Sequence, residues 1–226
     1  SQYPDSLTGR PVNQFTHRAI YGVSPSGSTE FAIVRTGAYV QYGFGGFVYE
    51  REGGVSLPTS GQAVYTGRAA GIRDRNGNGG LEYSSANVRI GIDFADFDAE
   101  TGRYPGAFAG SITDRRVFDI NGNDITSAVV TRINTENEAS LTRIPTAQFT
   151  IAPNALDVNG EAFGAISSTF VNDAGQAVRY EEGNYYAVLS GDNANELVGI
   201  VVAENTADPI ADHVRDTLGF VVLRNP

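Results

Sequence analysis

The sequence predicts an all-β protein built as a meandering antiparallel sheet, and three observations carry that expectation. Its 226 residues are 41% apolar, enough to bury a sizeable core. Its 27 glycines and 10% aromatic residues are dispersed among short Val, Ile, Phe and Tyr runs. Those runs recur about every 8 to 15 residues with turn signals between them, and nothing in the spacing indicates βαβ units.

Residues 1–27 mix Pro, Ser, Gly and Asn with little periodicity and are expected to form an extended N-terminal arm. Residues 28–60 form a strand-rich segment, with strands at Phe31–Val34 and Tyr39–Tyr49. From residue 61 to 226 strands follow in quick succession. Gly61, Ala63, Tyr65, Gly67, Ala69 and Gly71 share one face of the first, and a face so small lets a strand curve or another backbone approach closely. Val88, Ile90, Ile92 and Phe94 alternate with Arg89, Gly91 and Asp93, the pattern of a half-buried strand. Further strands are expected at 108–112, 117–120, 128–133, 146–151, 161–171, 176–190, 196–204 and 219–223, with turns at Asn76–Gly80, Asn121–Asn123, Asn172–Gly175 and Gly191–Ala194. One short helix is expected near 208–216, capped by Asp208 with Pro209 in its first turn and Ile210 and Val214 on one face.

The formal net charge is −10, and all 16 basic residues are arginines, scattered rather than clustered. Nucleic acid is therefore not an expected partner, because phosphate neutralisation needs a basic stripe. Cysteine is absent, which removes disulfides, thiolate nucleophiles and Cys-ligated metals. No stretch approaches the roughly 20 apolar residues of a membrane helix, so attachment to a membrane would need a lipid or a partner. The lack of methionine is what removal of an export signal would leave, and a lipidated residue just before Ser1 is one expected anchor.

A series of small motifs runs through the chain: Gly61-x-Ala63-x-Tyr65-x-Gly67, Asp93-Phe94, Gly106-x-Phe108-x-Gly110, Phe163-Gly164, Gly183-x-Tyr185-Tyr186, and Gly191-Asp192-Asn193-Ala194-Asn195-Glu196-Leu197-Val198-Gly199. In this order they resemble the barrel domain of the transferrin-binding protein B family, which includes factor H binding protein and secreted haemophore barrels. The resemblance covers roughly residues 30–204. It implies an eight-stranded, lipocalin-like barrel filled by side chains and preceded by a small strand-rich segment. It also implies an exported protein of a Gram-negative surface, either lipoprotein or secreted, that binds a macromolecular or nutrient-related partner without catalysis. It does not imply transferrin. Two other functions are kept: a structural subunit of an envelope or extracellular assembly, and a lipocalin-like carrier of a small hydrophobic ligand or haem.

Candidate site residues are few. Outward aromatics on strands make protein-binding or self-association faces, and Tyr39, Tyr42, Phe44, Tyr185 and Tyr186 are the candidates, although alternation turns about half of such sets inward. Asp74, Asn76 and Asn78 recur like the first half of a calcium loop. Its twelfth position is Ser85 where a bidentate Glu is needed, so a hairpin turn is expected with calcium as the alternative. His17 and His213 are isolated, without a second ligand motif or a nucleophile elbow. The carboxylate pairs Asp93/Asp96 and Glu181/Glu182 are read as solvated edges and turns rather than as glycosidase acids. No cofactor is expected.

Overall fold

The computed structural model describes residues 3–4, 11–12, 17–37, 43–76, 80–95, 97–104, 108–151, 155–205 and 213–226. In chain order the elements are β1 (Tyr3–Pro4), β2 (Pro11–Val12), β3 (His17–Val23), β4 (Thr29–Thr36), β5 (Gly45–Arg51), β6 (Gln62–Asn76), β7 (Leu81–Asp93), β8 (Arg103–Tyr104), β9 (Phe108–Phe118), α1 (Thr126–Asn137), β10 (Ala147–Phe149), β11 (Leu156–Asp157), β12 (Glu161–Val171), β13 (Ala177–Ser190), β14 (Glu196–Asn205) and β15 (His213–Arg224).

Eight of these strands close into an antiparallel barrel, in the order β6, β7, β9, β10, β12, β13, β14, β15 and back to β6. The short β10 is the closing stave. It pairs with β9 through Ala147↔Ile112 and with β12 through Ala147↔Ser168. The small face of β6 turns inward with Ala63, Tyr65 and Ala69 buried, and Gly67 lies so near β15 that a side chain there would meet the Val221 carbonyl. Val88, Ile90 and Ile92 of β7 are buried as their alternation predicts.

Side chains fill the interior. Phe108 stacks on Tyr185 at 5.0 Å, Phe149 meets Tyr185 edge-on at 5.0 Å, and Phe149 meets Phe220 at 6.0 Å. At one end the barrel turns polar. Arg73, Glu82, Ser84, Arg115, Glu181 and Asp216 are gathered there, with Arg115 Nη2 3.0 Å from Glu181 Oε2, Arg73 Nη1 3.2 Å from Glu82 Oε2, and Ser84 donating to Asp216 at 2.7 Å. Burial pushes the Asp216 carboxyl up, against the pull of Arg73 and Arg115. Helix α1 lies against this end, burying Val129, Val130 and Ile133 with Val117, Phe170 and Tyr180.

Three expectations are corrected here. Residues 128–133 are helical, not a strand. The β-branched run Val129-Val130-Thr131 reads as strand, yet Val129, Val130 and Ile133 fall on one helical face, Asp124 accepts the Thr126 N–H at 2.9 Å, and packing on the barrel outweighs propensity. The helix expected near 208–216 falls partly on residues 206–212, outside the described residues, and from His213 the chain is already strand, because Val214 and Asp216 are needed inside the barrel. The arm expected over 1–27 ends early. His17–Val23 forms β3, whose period-two alternation lets Ile20 pack inward opposite Ile33 of β4.

Candidate functional site

β3, β4 and β5 make a separate three-stranded antiparallel sheet, in that order, lying on the outside of the barrel. The seating follows from alternation on β4. Phe31, Ile33 and Arg35 turn toward the barrel and are buried, and Phe31 and Ile33 join a cluster with Ile72, Val188, Val198 and Ile200 of the barrel's outer wall. Polar bonds fix the edges of this contact. Arg35 donates to Thr217 at 2.7 Å, Thr29 to Glu196 at 3.2 Å, and Arg51 to the carbonyls of Leu189 at 2.6 Å and Asn159 at 2.7 Å. Burial draws the Arg35 guanidinium below its ordinary pKa, helped by Arg215 nearby and resisted by Asp74.

The other face of this sheet points away from the barrel. Its cross-strand rows are Val23–Glu30–Glu50, Tyr21–Ala32–Val48, Ala19–Val34–Gly46, and His17–Thr36 with Phe44 beyond. Tyr21 is 62% exposed, Val48 63% and Phe44 73%, with Val23 and Val34 also exposed. Tyr21 donates to the Glu30 carboxylate, which holds the phenol above its ordinary pKa. Adjacent exposed apolar rows on one flat sheet are what a protein-contact surface looks like, whereas single exposed apolar residues are commonplace.

The predicted site residues divide unequally. Tyr39 and Tyr42 lie outside the described residues. Phe44 is on the exposed sheet face. Tyr185 is inside the barrel at 0% exposure, so it packs and cannot meet a macromolecule, whereas its neighbour Tyr186 points outward and stacks on Phe47 of β5 at 6.1 Å. Tyr21, Val23, Val34 and Val48 were not singled out from the sequence. The signal was the alternation Ala19, Tyr21, Val23, hidden in a stretch read as an arm.

The remaining candidates are accounted for by local partners. Both Asp74 carboxylate oxygens are taken by Arg215, at 3.2 and 2.5 Å, while Asn78 and the side chain of Asn76 lie outside the described residues. Asp93 accepts from Gln62 and from the Ala95 N–H, which hold its carboxyl low, and Asp96 lies outside the described residues. Glu181 is not solvated as expected. It points into the barrel onto Arg115, while Glu182 points outward onto Arg179 at 2.7 Å, so the pair cannot converge on one substrate. His17 and His213 sit on different sheets, and among the described residues no group of three or more His, Cys, Asp or Glu is gathered as a metal site would require. No helix among those residues is long and apolar enough to cross a membrane.

No family model matches the sequence, and no curated protein does. Solved structures are similar in fold. A transferrin-binding protein B variant from Haemophilus parasuis is 15% identical with a TM-score of 0.45, over 96% of this chain and 37% of that one. A protein solved as a surface lipoprotein is 14% identical with a TM-score of 0.45, over 93% of this chain and 82% of that one. Isotype 1 transferrin-binding protein B from serogroup B Neisseria meningitidis is 13% identical with a TM-score of 0.44, over 95% of this chain and 34% of that one. This chain thus spans little more than a third of the length of these two transferrin-binding proteins, and its likeness to them is one of fold.

Proposed function

We propose that this chain is a binding protein of the bacterial surface, lipid-anchored or secreted, that recognises a protein partner through the outer face of its N-terminal sheet and performs no catalysis. One observation carries the reading: the barrel interior is filled by packed aromatics, while Tyr21, Val34, Phe44 and Val48 leave an apolar face exposed on the sheet clamped to it. A filled barrel serves as a rigid support, and a rigid support lowers the ordering cost of binding. The same filling disfavours an internal carrier of haem or lipid.

Native mass spectrometry of the protein taken gently from membrane and culture fractions tests this. The expected result is a copurifying protein that is lost when Tyr21→Ser and Val48→Thr are introduced together. A chain that travels alone in both fractions overturns the reading. A complex of identical copies would instead favour the structural subunit.

A further inference from the structure

The inner flank of the N-terminal sheet carries a second feature, independent of the outer face. β5 pairs with β4 along one edge, and among the described residues no strand pairs with its other edge. The pairing alternates. Thr36 donates its N–H to the Phe44 carbonyl and Glu52 to that of Ser28, so even-numbered residues of this strand bond toward β4. The N–H and C=O groups of Gly45, Phe47, Tyr49 and Arg51 therefore point to the unpaired edge. An unpaired row of this kind is a template for another strand.

That edge does not face open solvent. It overhangs the barrel wall and borders two hollows that meet at Phe47. One, of about 710 Å³, is floored by Ala165, Ser167, Asn184, Tyr186 and Val202 of β12, β13 and β14. The other, of about 500 Å³, runs past Tyr49 and Arg51 to Glu161 and Val188. Together they form a trough along β5 from Phe47 to Arg51, with a backbone ladder as one wall and an apolar and polar floor beneath. The carboxylates of Glu161, Glu182 and Glu204 line it, against the guanidiniums of Arg51 and Arg179. Both guanidiniums are engaged, Arg51 by the Leu189 and Asn159 carbonyls and Arg179 by Glu182. Three carboxylates against two guanidiniums leave the lining with a net negative formal charge, carried by Glu161 and Glu204.

We infer that this trough takes an extended, basic peptide segment of a protein partner, which adds to β5 as a fourth strand of the sheet. Backbone pairing supplies a sequence-tolerant part of the affinity, and alternate side chains meet the floor. Lysine or arginine at those positions reaches Glu161 and Glu204. A second copy of this chain is not the occupant, because pairing β5 with β5 would bring a second barrel under the same sheet, where the first barrel's wall already lies.

The test uses the whole chain and fluorescent eight-residue peptides alternating arginine with valine, read by anisotropy. Saturable binding is expected, at least tenfold weaker for the matching glutamate–valine peptide. N-methylation of one alternate set of peptide residues should weaken binding at least tenfold, and of the other set hardly at all, because only one set pairs with the edge. Glu161→Gln with Glu204→Gln should weaken it without changing that pattern, and Tyr21→Ser with Val34→Thr should leave it unchanged. Equal response to both N-methylated sets means adsorption to an acidic surface and overturns the inference, as does the absence of saturable binding. Neither result touches the outer-face reading, whose Tyr21, Val34 and Phe44 lie outside the trough.

Discussion

The Phe31 ring of the N-terminal sheet lies over Gly219 of β15, so close that a β-carbon on Gly219 would fall 2.1 Å from it. The sheet is thus seated on a bare stretch of barrel backbone. Gly219→Ala should cost about 1–3 kcal/mol by forcing the ring away, seen as a lower urea midpoint. Phe31→Leu added to it should recover part of the loss, whereas independent, additive losses would place the strain elsewhere.

Arg35 and Thr217 hold the same seam by a buried, charge-assisted bond of 2.7 Å. Thr217→Val should cost about 1–3 kcal/mol, since it leaves a buried guanidinium short of a partner. Hydrogen exchange should show the amides of 29–36 and 45–51 opening while those of β13 and β14 stay protected. Uniform acceleration over the whole chain would contradict a separable sheet.

The ionic cluster inside the barrel, Arg115 with Glu181 and Asp216, is expensive to break and cheaper to replace. Glu181→Gln alone should cost about 3–5 kcal/mol, because it leaves the buried Arg115 guanidinium with the more distant Asp216, at 3.6 Å, as its carboxylate partner. Arg115→Met together with Glu181→Leu should cost less than the single change, measured by denaturant unfolding in a double-mutant cycle.

Alkaline pH should unfold the protein through its buried tyrosines. Burial lifts the Tyr65 phenol to about 12, and that of Tyr185 higher still. An unfolded tyrosine ionises near about 10, so above that pH the unfolded chain loses protons that the folded one keeps. Stability is then full below about pH 10 and falls by about 1.4 kcal/mol per pH unit for each such tyrosine as pH rises toward 12. With no lysine or cysteine in the chain, the slope belongs to tyrosine. Tyr65→Phe, which also gives up a 2.6 Å bond to the Ala194 carbonyl, should lower stability at neutral pH yet flatten the alkaline slope. An unchanged slope in urea titrations at several pH values would refute the assignment.

The barrel was legible because its strands obey period two: Val88, Ile90 and Ile92 announce an inward face, and the glycines of β6 announce a tight curve. Helix α1 was not, since Val129 and Val130 carry β propensity and only the distant contacts with Val117, Phe170 and Tyr180 select a helix. The exposed face was half legible. Phe44 was found from its aromatic run, but Tyr21 and Val48 become neighbours only through pairing with Ala32, which local sequence does not encode. Tyr185 and Tyr186 show the limit of composition, for two adjacent tyrosines fall on opposite sides of one wall.

The claim that the outer sheet face is the contact surface is tested most directly by site-specific photo-crosslinking in the native host. A benzophenone side chain would replace Tyr21, Val48 or, as a control after β9 and away from the N-terminal sheet, the exposed Ile120. The account predicts one discrete heavier adduct from positions 21 and 48 and none from 120. Adducts from all three positions alike, or from 120 alone, would contradict it.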